Sequence, residues 1–215
     1  DYGGNSAFDR LHAQDRVKSF GDMLFVPRYV ASFDLTDSQT IVAGTSAAFG
    51  PNGSGEHSDT QIYGVDLFYK WKSPSQHGGF PFVTWQSEGM LRRYQAAAST
   101  TVDLNGDGAL DFVPDETIKD YGFYSQVAYG FHKGWVAALR GDYVIGKVAE
   151  YEKLFGRDIE RGDRWRISPN LTWYPSEFSK IRLQYNCDDR ELIGVDHSVW
   201  LQFEFLLGSH AAHKF

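Results

Sequence analysis

The chain carries a single cysteine, Cys187, in 215 residues. One thiol excludes a disulfide framework and a cysteine-rich metal site. No apolar run reaches the ~18–20 residues of a membrane helix, and the mean hydropathy is −0.41. Positive charge is in deficit: Lys+Arg 21 against Asp+Glu 28, a net charge of −7. That balance argues against a nucleic-acid binder held by phosphate contacts. Helical periodicity is nearly absent, with one weak stretch near Ser6 to Lys18. GxSxG, HExxH, a P-loop and a GxGxxG leading into a helix are all missing, so no enzyme is expected. The opening DYGGNSAFDR has neither a basic n-region nor an apolar h-region; either a signal was removed or the chain is a fragment.

Aromatics are plentiful: Trp 6, Tyr 12 and Phe 16, or 16% of the chain. The dominant period is two. WRISPNLTWY alternates Trp165, Ile167, Pro169, Leu171 and Trp173 with polar residues. KIRLQYN, SVWLQFEFLL and YGFYSQVAYGF behave alike. Such alternation predicts strands with one apolar and one polar face. Nine are expected, near 24–35, 40–50, 60–72, 80–97, 120–132, 135–148, 164–174, 180–188 and 197–208. Most exceed the ~5–6 residues of ordinary strands and suit the ~9–11 of a tilted membrane strand.

The connections alternate in length. TDSQ, SPSQHGG, KG and PSEFS are short; PNGSGEHSD, about Ala98 to Lys119, Ala149 to Asp163, and DRELIGVD are long. Outer-membrane barrels have this pattern, with short periplasmic turns and long extracellular loops. Tyr69, Trp71, Phe80, Phe82, Tyr121, Phe123, Phe131, Trp135, Trp165, Trp173 and Tyr174 sit near strand ends, as an interfacial girdle would. The opposite face carries Arg28, Asp66, Lys70, Glu88, Arg92, Arg140, Asp142, Arg166, Arg182 and Glu204. These ten are the candidate lumen lining. They lean basic, which places the acidic excess in loops and ends and would favour anions.

The C-terminus SVWLQFEFLLGSHAAHKF is an alternating strand ending on Phe215. It resembles the sorting signal of bacterial outer-membrane β-barrels, and LGSHAAHKF is similar to porin-like and TonB-dependent-receptor-like barrels. The resemblance implies a Gram-negative outer membrane, insertion by the barrel assembly machinery, lipid around the wall and small solutes within it. It leaves open an oligomer or larger membrane assembly. The expected fold is all-β, an antiparallel up-and-down transmembrane β-barrel with nine or ten strands in this chain, as a whole or as part of a larger barrel. Residues 1–22 are expected as an extracellular or N-terminal segment and 23–215 as barrel. With Phe215 periplasmic, an odd strand count implies at least one further strand upstream, since bacterial barrels are even.

One loop motif suggests a metal. DLNGDGALD sets Asp103, Asn105, Asp107, the Ala109 carbonyl and Asp111 at alternate positions, with Gly106 and Gly108 allowing a sharp turn. This is calcium chemistry, and it resembles short DxDxDGxxD loops; position 12 is Pro114, unlike an EF-hand. A structural calcium is the one cofactor expected. His210 and His213 fall on opposite strand faces and do not share a metal. Cys187 reads as a bystander. The leading expectation is a porin-like passive channel. The barrel of a TonB-dependent transporter and a non-transporting scaffold or partner-binding barrel remain alternatives.

Overall fold

The computed structural model describes residues 20–55, 57–103 and 106–206. A short 3-10 turn, Phe20–Asp22, precedes the strands β1 (Arg28–Thr36), β2 (Gln39–Pro51), β3 (Asp59–His77), β4 (Phe80–Ala96), β5 (Ser99–Val102), β6 (Asp111–Val113), β7 (Glu116–His132), β8 (Trp135–Gly146), β9 (Arg164–Ser176), β10 (Ser179–Arg190) and β11 (Gly194–Phe205). One helix, α1 (Glu150–Phe155), lies between β8 and β9. Nine strands form one sheet in the order β1-β2-β3-β4-β7-β8-β9-β10-β11, every neighbour antiparallel. The small β5–β6 hairpin stands apart.

The sheet is not closed into a barrel. Among the described residues β1 pairs only with β2, and β11 only with β10. In an up-and-down sheet of nine strands the first and last run the same way, so β1 and β11 could meet only as a parallel pair. The expected all-β, antiparallel up-and-down sheet is present with its nine strands; closure is not, and β1 and β11 are its two edges among the described residues. Segments 1–19 and 207–215, with Phe215, His210 and His213, lie outside the described residues.

The turns follow the sequence closely. All four short connections reduce to two residues: 37–38, 78–79, 133–134 and 177–178. At the second, Gly78 and Gly79 take φ of 61° and 85°. Two consecutive positive φ values are what a tight hairpin turn needs, and glycine accepts them without a Cβ clash. This lets β3 continue through most of the expected SPSQHGG loop. DRELIGVD is likewise shorter than expected, because β10 and β11 stay paired from Asp188–Asp196 to Arg190–Gly194.

Register decides everything about the faces. Directly opposed residues share a side, and the pairing keeps parity from β1 to β11. Asp66 opposes Gly44 and Glu88; Glu88 opposes Tyr124, then Asp142, Arg166, Asp188 and Asp196. Away from the register shifts beside the short turns, even-numbered residues therefore lie on one face and odd-numbered on the other, across all nine strands.

The faces reverse the rule of a soluble domain. The odd face is apolar and open: Val65 is 62% exposed and Leu139 56%, with Phe33, Phe123, Ile167, Leu183, Leu201 and Phe203 similarly exposed. The even face is polar and, on β7 to β10, largely covered: Thr172 is 1% exposed and Asp188 4%, with Ser168 and Asn186 also buried; on the edge strands β1 and β11 it is exposed.

Among the described residues the conventional core is elsewhere. Ala96, Val113, Ile118, Ala149 and Tyr151 are buried together, with Tyr94 and Phe155 against them. Tyr94, Ala96 and Ile118 are even-face residues of β4 and β7; the others come from the connections between β4 and β7 and between β8 and β9. Those two connections thus fold over the even face at the long-loop end.

Candidate lumen face

All ten residues expected to line a lumen fall on the even face. The register also adds residues the sequence reading missed: Asp34, Lys72, Glu116, Asp120, Arg164, Lys180, Asp188, Arg190 and Asp196. Extending strict parity to the strand ends would have found them. Their inclusion narrows the basic excess almost to balance. Conversely, Phe80, Phe82 and Tyr174 of the expected girdle lie on the even face, lining the trough described below.

A belt of charge crosses the face near mid-sheet. Arg28 Nη2 donates to Asp66 Oδ1 at 2.8 Å. Arg140 grips Asp142 through Nε at 2.9 Å and Nη2 at 2.6 Å, and its guanidinium lies 3.9 Å from the Tyr124 ring centroid. Asp188 is the hub of the β9–β10 side. It accepts from Arg164 Nε at 2.8 Å and from Arg166 Nη2 at 2.9 Å, and Arg190 Nε lies at 3.5 Å. Buried carboxylates persist as ions only when paired in this way. Glu88 stands opposite Tyr124, and Lys70 opposite Thr84. Arg182 Nε donates to Thr172 Oγ1 at 3.0 Å, and Lys180 pairs with Glu204 at 2.7 Å.

Beside this belt lies a trough of about 1060 Å³ running to the short-turn end, lined by Thr84, Gln126, Arg140, Arg166, Asn170 and Arg182 among others. A smaller cavity of about 350 Å³ is lined by Arg166, Asp188, Arg190 and Asp196. Arg166 Nε and Arg190 Nε are buried donors with no hydrogen-bond acceptor from the protein. Buried donors of this kind are ordinarily met by water, which suits a hydrated face.

The cap at the long-loop end is locked by ions. The Glu152 side chain accepts Ala149 N–H at 2.7 Å and Asp158 N–H at 3.1 Å, and pairs with Arg161. Arg161 Nη2 also reaches Asp120 Oδ1 at 3.0 Å and the Lys147 carbonyl at 2.8 Å. Asp120 in turn accepts Arg92 Nε at 2.9 Å. The chain Arg92–Asp120–Arg161–Glu152 therefore ties the β8–β9 connection to the β4–β7 wall. Ala149 offers no side-chain oxygen to cap α1. Glu116 of β7 does so instead, accepting Glu150 N–H at 2.7 Å, where a carboxylate meets the positive end of the helix. Tyr151 Oη donates to Asp158 Oδ2 at 2.8 Å. Burial, and then that hydrogen bond, push the Tyr151 phenol far above the ordinary tyrosine range.

Within DLNGDGALD, residues 106–110 are an exposed bend before β6. Asp103 accepts Gly106 N–H at 2.7 Å and Gly108 N–H at 2.8 Å, while Asp107 accepts Ala109 N–H at 2.7 Å. Gly106 and Gly108 have φ of 77° and 87°, the turn freedom expected of them. Asn105 lies outside the described residues. Among the described residues no three acidic, histidine or cysteine side chains converge as a metal site. Cys187 is a half-buried free thiol on the odd face.

The geometry defines an all-β protein whose antiparallel up-and-down sheet has a polar, ion-paired face and an exposed apolar face. Comparison with known proteins adds little to that class. No protein family matches the sequence, and no solved structure matches it. An uncharacterized protein from Aquifex aeolicus (strain VF5) is 26% identical over 212 residues, covering 89% of this chain and 40% of that protein. The chain thus spans well under half the length of the curated relative it matches.

Proposed function

We propose that the nine strands are a stretch of the wall of a bacterial outer-membrane β-barrel, and that the complete protein is a porin-like channel for small hydrophilic solutes. The observation that supports this most is the reversal of burial, with apolar odd residues exposed and polar even residues covered. In water an exposed apolar face costs roughly 25 cal/mol per Å²; in lipid the cost disappears. Lipid also demands that polar groups on the outer face be satisfied internally. Trp85 Nε1 donates to Ser125 Oγ at 2.9 Å, and Ser87 donates to the same oxygen at 2.8 Å. Those hydroxyls and that indole lie on the odd face and satisfy one another.

The apolar band has the right height. On β7 it runs from Tyr121 to Phe131. At ~3.3 Å per residue and a ~40° tilt, that projects to about 25 Å, the height of an outer-membrane band. The unpaired edges of β1 and β11 suit a larger barrel, in which further strands cover them. The near-balanced, paired charges on the even face predict weak ion selectivity with a slight anion lean.

A second reading, a non-transporting barrel, draws support from the extensive ion pairing and the inward cap. Planar-bilayer recording of the purified full-length protein separates the two. The channel reading predicts stepwise conductance and a reversal potential that moves toward cations in Arg140→Glu/Arg166→Glu. Silent bilayers with folded, inserted protein would leave only the second.

A further inference from the structure

The odd face is almost free of charge. Its strand lysines and arginines, among the described residues, are Arg93 and Lys119, and they stand directly opposite each other toward the long connections, one odd-face row in from Gln95 and Thr117. Gln61 opposes Arg93 on the other side. Lys147 extends the row, its N–H donating to the Lys119 carbonyl at 2.9 Å. Arg93 and Lys147 are exposed and Lys119 is half-buried. Arg93 Nη1 reaches Gln61 Oε1 at 3.4 Å, and Lys147 Nζ lies 5.8 Å from the Tyr121 ring centroid. No carboxylate among the described residues pairs with any of the three. Asp59 lies two residues before Gln61, and Asp163 accepts the Tyr143 phenol at 2.9 Å beside the rows below. Like charges directly opposed on adjacent strands repel, so this row stays destabilising until an anion bridges it. At ~4.8 Å between strands the three cations span only about 10 Å, within reach of one phosphate group for side chains this long.

An apolar groove begins immediately beneath. The next rows are Tyr63, Leu91, Tyr121 and Ile145, then Val65, Gly89, Phe123 and Tyr143. They line a groove of about 700 Å³. Its floor is Gly89, where an added Cβ would meet Val65 at 3.6 Å and Phe123 at 3.9 Å, ordinary contacts. A ligand fitting both parts must be anionic at one end and apolar along its length.

We propose that this row and groove bind a phosphate-bearing lipid of net negative charge from the leaflet on the long-connection side. Its phosphate bridges Arg93, Lys119 and Lys147, and one acyl chain lies over Gly89. The site rests on the membrane-wall reading above, since only there does lipid reach the odd face.

The test uses full-length protein in detergent micelles, titrated with a phosphate-bearing glycolipid such as lipid A, with phosphatidylglycerol, with phosphatidylcholine and with inorganic phosphate, read by native mass spectrometry and thermal unfolding. Wild type should bind the two phosphate-bearing anionic lipids saturably, and neither phosphatidylcholine nor inorganic phosphate should compete. Arg93→Gln/Lys119→Gln/Lys147→Gln should weaken anionic-lipid binding at least about tenfold, given roughly 1 kcal/mol per cation near an anionic headgroup. Gly89→Leu should weaken it while keeping the charges, and Lys133→Gln/Lys153→Gln should leave it unchanged. Heat-modifiable migration of each variant reports folding. Equal lipid affinity in a folded triple variant, or full competition by inorganic phosphate, overturns the lipid site and leaves the barrel intact. Absence of the protein from the outer-membrane fraction overturns the barrel reading and the site with it.

Discussion

The wall and the cap obey opposite rules. In the cap, Tyr151, Val113, Ile118 and Ala149 bury apolar surface against one another, and the surrounding acids and arginines secure the edges. In the wall, Val65, Leu139 and Leu201 are exposed, while Asp188 and Thr172 are buried. One chain thus holds a small core suited to water beside a sheet suited to something apolar on the outside. Exposure alone does not make the odd face an error of folding. The same sequence packs a conventional core in the connections that fold over its even face.

The sharpest way to break this comparison is to remove an ion from the cap. Arg161→Ala leaves Glu152 and Asp120 without their shared partner, and both Arg161 and Glu152 are almost fully buried. Loss of one member of a buried pair costs about 3–5 kcal/mol. The β8–β9 connection should become protease-sensitive in intact vesicles while the wall keeps its heat-modifiable migration. Nearly as large is the effect of a charge on the wall. Leu139→Arg, mid-way along the odd face, should cost about 2–4 kcal/mol of membrane stability, read by urea unfolding in lipid. Ala138→Arg, one residue away on the even face, should be far milder. Equal penalties at the two sites would erase the distinction between faces.

A smaller effect tests the cap's tyrosine. Tyr151→Phe should cost about 1 kcal/mol for one lost hydrogen bond, read as earlier thermal release of the loop. Because the folded phenol is held protonated above its ordinary value, its contribution is complete below about pH 10 and falls as pH rises beyond it. A titration of loop protection in wild type, lost above that pH and flat in Tyr151→Phe, checks the sign. The smallest expected effect is in the DLNGDGALD turn. Asp103→Ala removes the acceptor for two backbone N–H groups and should raise cleavage only between β5 and β6. A turn that is protected by added calcium in wild type but not in Asp107→Ala would support the metal expectation; protection indifferent to calcium would remove it.

Much of the wall was legible in the sequence. Period-two alternation is local, so strand positions and the placement of Arg28, Asp66, Arg140 and Arg182 on one face could be read without partners. The cap was not legible. EYEKLF is too short to display helical periodicity, and its burial depends on Ile118, an even residue that parity assigns to the polar face. Glu116 caps α1 from 34 residues away, a relation no local pattern encodes. Sheet closure was equally hidden, because it depends on what pairs with β1 and β11.

The most direct test of the account is the accessibility of single cysteines placed along β7 and β8 in a Cys187→Ser background, in the membrane-embedded protein. Gln126→Cys and Ala138→Cys should react with a membrane-impermeant thiol reagent applied from the aqueous side. Val127→Cys and Leu139→Cys should resist it and, once labelled with a fluorophore in denaturant and refolded, should be quenched by nitroxide lipids. Alternation with residue parity is the predicted result. Equal aqueous labelling at all four positions, with no lipid quenching at the odd ones, would contradict the claim that the apolar face meets lipid.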